Sequence, residues 1–315
     1  MTPEKVKTGI AGVGYLGKFH ARILTELPIS EPVGFVEPSD SIAAEIEQKY
    51  GSFGLVRKRS IEELLAAGAT AVVVATPTST HAAVAQELLA GGADVMIEKP
   101  ITVTLEEADD LVALARKNGR VLQVGHIERF NPAVEAVAPF ITEVKFIEAH
   151  RLGVFVPRAL DVDVVLDLLV HDLDIALAFV NRPVKEIRAV GVPILTAKVD
   201  IASVRIAFDG GCVANLTASR VSQERTRKFR LFQPDWYFSL DTQKRDVKAF
   251  RLDRFTGVPR IVDWPIHVKP SDPLTEEDRH FLECCLTRKD PRVTGEDGMA
   301  ALKLALDILD EMKRS

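Results

Sequence analysis

Apolar residues in this chain follow two different patterns. Up to residue 125, continuous apolar runs ("KVKTGIAG", "PVGFVE", "TAVVVAT", "DVMIEK", "RVLQVG") alternate with stretches over 15–27, 39–50, 79–89 and 104–118 whose apolar positions recur at helical spacing. Strands that read as unbroken apolar runs are covered on both faces, and strands joined through helices of this length run parallel. The pattern predicts a doubly wound α/β domain over 1–124. After residue 184 the reading changes: "VKEIRAVGV", "ASVRIAFDGGCVANLTAS", "RKFRLF" and "DWYFSLD" look like strands joined by short turns, some alternating with period two. A second domain is expected over 125–315.

Ahead of those strands, residues 161–180, "DVDVVLDLLVHDLDIALAFV", set one histidine and several aspartates in an apolar segment without lysine, glutamate or arginine. Taken as a helix at about 100° per residue, Asp163, Asp167, His171 and Asp174 share an arc of roughly 80°. Val164, Val165, Leu166, Leu168, Leu169, Leu173, Ile175 and Leu177 cover most of the rest, and Asp172 points the other way. A lone histidine in an apolar helix is ordinarily a satisfied core residue. Here, burying several carboxylates on one stripe without partners would cost several kcal/mol each, and the helix supplies no cation. A polar cleft facing the seam removes the difficulty, which leaves Asp172 dispensable for chemistry and Asp163 and Asp174 to position substrate or anchor the helix.

Composition narrows the class. The chain has 315 residues, 47% hydrophobic and 27% charged, enough for two packed domains. A net charge of -5 and a sequence pI near 5.9 argue against nucleic-acid binding, which needs excess cation to displace counterions. No apolar run reaches the roughly 18 to 20 residues of a membrane span, and the beginning, "MTPEKVKTGIAGVG", lacks a long h-region, so a cytoplasmic protein is expected. Cys212, Cys284 and Cys285 have no metal-ligand spacing, so no metal is expected and the cysteines read as reduced packing thiols.

The first strand-to-helix turn is "GVGYLG", with Gly12, Gly14 and Gly17 as G-x-G-x-x-G and Tyr15 and Leu16 between them. Such a motif is common. Placed after a predicted strand and opening a helix, it gives each glycine a separate role. Gly12 permits the tight turn, Gly14 the close approach of backbone N–H groups to a pyrophosphate, and Gly17 helix-to-sheet packing. The second strand ends in Glu37, twenty residues after Gly17. A carboxylate there accepts hydrogen bonds from both ribose hydroxyls and repels a 2'-phosphate, so NAD is favoured over NADP. The third and fourth long strands end in "ATPTSTH" and "IEKPIT", which makes Thr76, Pro77, His81, Glu98, Lys99 and Pro100 candidates for the wall of the cofactor crevice. Lysine before proline is held out of the α region, which fixes its direction.

In chain order, G-x-G-x-x-G, "TPTSTH", "EKP", "GHIERFNPAV" and D-x-x-x-H together resemble the Gfo/Idh/MocA oxidoreductase family, and the resemblance runs to the tail "DPLTEEDRHFLECCLTRKDPRVTGEDGMAALKLALDIL". It implies a Rossmann domain followed by an α+β domain with a large, mainly antiparallel open sheet, and a D-x-x-x-H helix lining the cleft between them. It also implies a homodimer or homotetramer through that sheet, and a catalytic set that falls here on Lys99, Asp167 and His171. Imidazole titrates near neutrality and suits a base for a hydroxyl proton; Asp167, one turn earlier, would steady its charged form, and Lys99 would polarise the reacting oxygen.

Where many members carry glycines around D-x-x-x-H, this chain has the bulkier "VVLDLLVHDLD". With "VGHIERFNPAV", "GCVANLTASRVS" and "RKFRLFQPDWYFSLD", it looks most like the UDP-N-acetylglucosamine 3-dehydrogenase subgroup, whose keto product passes to a PLP aminotransferase in some lipid A pathways. A nucleotide diphosphate needs cations, and Arg129, Arg151, Arg158, Arg220, Arg225, Arg227, Lys228 and Arg230 are available. Arg129 and Asn131 are the candidates for substrate contact beside Asp163, His171 and Lys99. Three readings stay open: this sugar-nucleotide dehydrogenase, an inositol- or aldose-type dehydrogenase on the same scaffold, and a non-catalytic NAD-binding regulator, which retention of all three catalytic residues argues against.

Overall fold

The computed structural model describes residues 4–156, 162–254 and 258–314, and the chain divides into two compact units. The first contains strands β1 (Val6–Ala11), β2 (Ser30–Val36), β3 (Arg57–Lys58), β4 (Ala71–Val74), β5 (Asp94–Glu98) and β6 (Leu122–Gly125). Among the described residues these form one parallel sheet in the order β3-β2-β1-β4-β5-β6. Helices α1 (Gly17–Glu26), α2 (Asp40–Tyr50), α3 (Ile61–Ala66), α4 (Thr78–Ala90) and α5 (Leu105–Asn118) connect them. Every residue of β4, β5 and β6 is buried, as unbroken apolar runs require. Strand order reverses between β1 and β4, so the loops after these two strands flank the switch point where open α/β sheets bind ligands. The sequence pattern misses β3 and α3 because two charged residues have no strand period and "IEELLA" is too short to display a helical one.

The second unit has α6 (Pro132–Val137), β7 (Phe146–Leu152), α7 (Val170–Val180) and β8 (Val184–Val192). There follow β9 (Ile201–Phe208), β10 (Val213–Ser219), β11 (Thr226–Phe232), β12 (Trp236–Asp241), β13 (Asp246–Asp253) and β14 (Arg260–Asp263). Its eight-stranded sheet runs β14-β13-β12-β11-β7-β10-β9-β8 among the described residues, and every pairing is antiparallel except β7 with β10. Alternate residues, among them Ile147, Val204, Ile206, Leu216, Phe229, Leu231, Phe238 and Leu240, bury one face in a core shared with Leu169, Leu173 and Ile175. The opposite face carries half-buried Phe146, Phe232, Tyr237 and Phe250 as a cross-strand ladder, with ring centroids 5.5, 4.7 and 5.8 Å apart.

The sequence-based boundary between 124 and 125 lies close to the division after Ile127, but everything beyond it is not one unit. Pro273–Met299 belongs to the first unit, and only Ala300 onward rejoins the second. The helix responsible is α8 (Pro273–Thr287), whose Phe281, Leu282, Cys284 and Cys285 share a core with Ile10, Ile23, Leu24 and Phe35. An amphipathic helix shows in sequence which face it hides, not which domain it hides it in. The last helix, α9 (Gly295–Arg314), places Leu304, Ala305 and Ile308 in the core of the second unit. All three cysteines are free and buried, and burial raises the Cys212 and Cys284 thiols to about 11, in keeping with inert packing groups.

Within the apolar 161–180 segment, the described residues 162–180 do not form the straight α-helix that periodicity predicts. Val165–Leu169 forms a π turn, with the Val170 N–H reaching the Val165 carbonyl, before α7 begins. One extra residue in that turn rotates the side chains before it away from those after it, which breaks the four-residue seam. Asp172 and Asp174 are buried, whereas Asp167 and His171 stay partly accessible. Asp172 is engaged as well as buried: both its oxygens accept hydrogen bonds from Arg151 of β7, at 2.8 Å each. Asp172→Ala should cost about 3–5 kcal/mol in denaturant unfolding, because it strands a buried guanidinium; an unchanged midpoint would show that the pair does not hold the helix.

Candidate active site

The glycine-rich turn joins β1 to α1, and its three glycines meet three different surroundings. At Gly12, φ is +83° and a Cβ would lie 2.9 Å from Ala75 and Thr76 backbone atoms. At Gly17 a Cβ would lie 1.9 Å from the Gly12 carbonyl oxygen, so the helix approaches the turn only without one. At Gly14 no atom lies within 4 Å of that position, which leaves the backbone open to a ligand. Tyr15 and Leu16 are exposed beside it. The first turn of α1 has no side-chain cap and no acidic residue; its Lys18 and Phe19 N–H groups donate to the Gly14 and Leu16 carbonyls, and the positive end of the helix is left unneutralised for an anion.

Glu37 closes the adjoining side. Its Oε2 accepts the Val13 N–H at 3.1 Å and its Oε1 accepts the Ser39 N–H at 2.9 Å, which ties the carboxylate to the glycine turn. Sequence reasoning overlooked Arg57, which β3 brings beside the end of β2. Arg57 donates to the Glu37 and Pro38 carbonyls and to Asp40, so its charge braces the loop that presents Glu37 and is already matched. No local signal connects residues twenty apart that meet only through parallel strand pairing. These groups fit a dinucleotide: an open glycine for the pyrophosphate, an uncapped helix start, and an anchored carboxylate for ribose hydroxyls.

Thr76 and Pro77 lie at the end of β4, where Thr76 accepts a hydrogen bond from Thr80 at 2.9 Å and Pro77 is exposed at the start of α4. His81 and Glu98, expected on the crevice wall, face inward instead. The ring nitrogens of buried His81 lie 2.9 Å from the Pro100 and Thr76 carbonyl oxygens, so it braces the two strand-end loops. Buried Glu98 points to α1, with Oε1 3.1 Å from His20 Nε2, while its Oε2 accepts the Lys99 N–H. Lys99 itself is half-buried at the end of β5, ahead of Pro100 across a cis peptide bond.

In the second unit the cations expected for a diphosphate separate into different roles. Arg151 is buried between Asp172 and Glu128, whose Oε1 is 2.9 Å from its Nη1, and these carboxylates outweigh burial and hold the guanidinium far above its ordinary pKa. Arg220 is buried on Asp200 at 2.7 Å, and Asp200 also accepts three backbone N–H groups from 194–196 that, with Arg220, overcome burial and keep it well below the usual carboxylate range. Neither arginine is available to a substrate. Strand alternation sends Lys228 and Arg230 to the outer face of the sheet, paired with Asp241 and Glu148. Arg158 lies outside the described residues. Arg225 is exposed, and half-exposed Arg227 lies opposite Arg151 in the sheet, 3.5 Å from Glu128.

The other expected substrate residues are also anchored. Asn131 caps α6 through the Ala133 N–H and donates to Glu128 and to the Thr242 carbonyl, so its amide protons are committed within the protein. Asp163 accepts the Val199 N–H at 2.8 Å. Arg129 lies 3.3 Å from buried Asp174. Of the seam's acids, Asp174 is thus matched by an arginine from another element of the same unit and Asp163 by a backbone N–H, and what stays accessible on the helix is Asp167 and His171.

A parallel sheet with an open glycine turn at its switch point and an anchored acid at the end of its second strand defines a nicotinamide-dinucleotide oxidoreductase. Residues 6–126 match the oxidoreductase family profile with the NAD-binding Rossmann fold, and residues 145–233 match the GFO/IDH/MocA C-terminal domain. This chain belongs to the Gfo/Idh/MocA oxidoreductase family. It is 36% identical to UDP-N-acetylglucosamine 3-dehydrogenase from Acidithiobacillus ferrooxidans over 96% of both chains. The solved structure of that enzyme superposes with a TM-score of 0.90, covering 99% of each chain. It is also 25% identical to the scyllo-inositol 2-dehydrogenase (NAD(+)) of Bacillus subtilis, over 96% of this chain and 93% of that protein.

Glu37→Ala should weaken NAD binding roughly 10- to 100-fold, the worth of charge-assisted hydrogen bonds, and narrow the preference over NADP by removing the repulsion of a 2'-phosphate. Equilibrium titration with each dinucleotide measures both; unchanged NAD affinity would remove Glu37 from the ribose.

Proposed function

We propose that this chain oxidises the 3-hydroxyl of UDP-N-acetylglucosamine to the 3-keto sugar nucleotide with NAD, using Lys99, Asp167 and His171. The observation that carries the substrate is the end-to-end likeness to the Acidithiobacillus enzyme; the lower likeness to an inositol dehydrogenase leaves the polyol reading second. Bound NAD supplies the hydride acceptor. The chain's own residues handle the proton: His171, partly accessible on α7, takes it from the hydroxyl, a step in which a placed base contributes about 10² to 10⁴ in rate. Asp167, one turn back and also accessible, steadies the imidazolium. Lys99 hydrogen-bonds the oxygen as alkoxide charge develops. Arg225 and Arg227 remain as partners for the diphosphate once the buried, anchored and outward cations are set aside.

The keto product would pass to a PLP aminotransferase in the cytoplasm, and no helix among the described residues is long and apolar enough to cross a membrane. A second copy of the chain is the proposed cover for the half-buried ladder Phe146–Phe232–Tyr237–Phe250, giving a homodimer or homotetramer.

Incubated with NAD and a panel of UDP-sugars and free polyols, with an aminotransferase or keto trap drawing off product, the protein should form NADH with UDP-N-acetylglucosamine; turnover with inositol or glucose alone would discard the substrate. His171→Ala should lose at least about a hundredfold in kcat while binding NAD normally, and full activity would remove the base assignment. Light scattering should find Phe232→Glu in a lower oligomeric state than the wild type. A wild-type monomer would refute the covered face.

A further inference from the structure

We propose that His20, buried between Glu98 and Asp278, is a cationic clamp that positions Lys99 for the reaction. The inference builds on the role proposed for Lys99 and names residues that the activity has not used. His20 is completely buried on α1, with Nδ1 2.8 Å from Asp278 Oδ1 of α8 and Nε2 3.1 Å from Glu98 Oε1 of β5. A neutral imidazole carries one N–H; with a carboxylate oxygen at each nitrogen, both donate only in the imidazolium. Burial by itself depresses the pKa of His20, but Asp278 and then Glu98 outweigh it and hold the ring well above its ordinary 6.5. Glu98 in turn is lowered by His20 and by Lys99 in spite of its burial.

The clamp ends on the backbone of Lys99. The second oxygen of Glu98 accepts the Lys99 N–H at 3.2 Å, and a Cβ at Gly125 of the neighbouring strand would come within 3.1 Å of that oxygen, so the carboxylate fills the space where β6 carries no side chain. Asp278 and the equally buried Glu277 come from a helix some 260 residues further on, which gives Pro273–Met299 a role in the first unit beyond filling its core. The charges acting on the ring come from Asp278 on α8 and from Glu98 at the end of β5, with Lys99 immediately after it. His20 is placed to touch neither substrate nor cofactor, since both its nitrogens are spent on carboxylates; it is a positioning residue.

Linkage fixes the direction of the pH effect. The folded value of His20 lies above the unfolded one, so the clamp contributes fully below about 6.5 and is lost only as pH rises through the raised folded value. Asp278→Asn keeps an acceptor on Nδ1 but removes the charge, which brings that loss down toward neutral pH.

The test combines ¹⁵N-histidine NMR of the wild type with kinetics, NAD affinity and melting of Asp278→Asn and His20→Gln. A His20 ring still cationic well above its ordinary 6.5 is expected, and a neutral tautomer there would overturn the clamp whatever the variants do. Both variants should lose on the order of ten- to a hundredfold in kcat, the scale set by small misplacements of a catalytic group, with NAD affinity unchanged within about twofold. In Asp278→Asn, kcat should also fall at lower alkaline pH than in the wild type. Lower melting with wild-type kcat and pH profile would make the cluster merely structural and refute the proposal. Wild-type turnover of UDP-N-acetylglucosamine, and its loss in Lys99→Met, test the underlying reading separately; if that reading fails, the NMR result still decides the charge of His20.

Discussion

The buried guanidinium of Arg151 is the interaction on which the second unit's chemistry depends. It joins β7 to the helix carrying the D-x-x-x-H motif by a two-pronged contact with Asp172, and it reaches Glu128 with its remaining amino group. Glu128 is held in turn by Asn131, which starts α6. A charge so buried tolerates few arrangements, because any carboxylate that swings away leaves an unpaired ion in low dielectric. With Asp172 drawn inward on one side of α7, His171, its neighbour in the chain, is turned out. The same neighbourhood pairs Asp174 with Arg129, so the acids of an apolar helix are neutralised inside the unit while Asp167 and His171 stay accessible.

The first unit rests on steric constraint in place of charge. Gly17 permits α1 to start against the Gly12 carbonyl, and Gly12 takes a backbone conformation that side chains disfavour, so turn and helix can occupy their positions only with these residues. Gly14 faces open space, which leaves backbone donors presented and unobstructed. Behind the turn, the same helix sends His20 into a cluster of carboxylates assembled from β5 and α8. One short helix therefore offers its uncapped start to the dinucleotide and its buried face to the strand end that carries Lys99.

Sequence pattern and three-dimensional role agree for some residues and part company for others. The glycines, Glu37 and Lys99 lie at the strand ends where the pattern puts them, and Asp167 and His171 stay partly accessible although the π turn breaks the helix face predicted for them. His81, Glu98, Asn131, Arg151 and Arg220 have the chemistry of site residues but serve as internal braces. Nothing local separates the two groups, because a polar side chain at a strand end becomes a brace or a ligand group according to what packs against it. Alternation could have sorted part of the "RTRKFR" run: Arg227 shares a face with Phe229 and Leu231, and Lys228 and Arg230 take the other.

By itself the sequence determined the parallel sheet, the glycine turn, the acid that ends β2 and the histidine helix, since periodicity, strand-end position and the lack of a Cβ are properties of neighbouring residues. Tertiary structure alone decided that α8 returns to the first unit, that a π turn breaks the polar seam, and which arginines stay accessible to an anion. Those outcomes depend on partners distant along the chain, as Asp278 is from His20 and Arg151 from Asp172, and the energy of a buried charge is set by its neighbours in space.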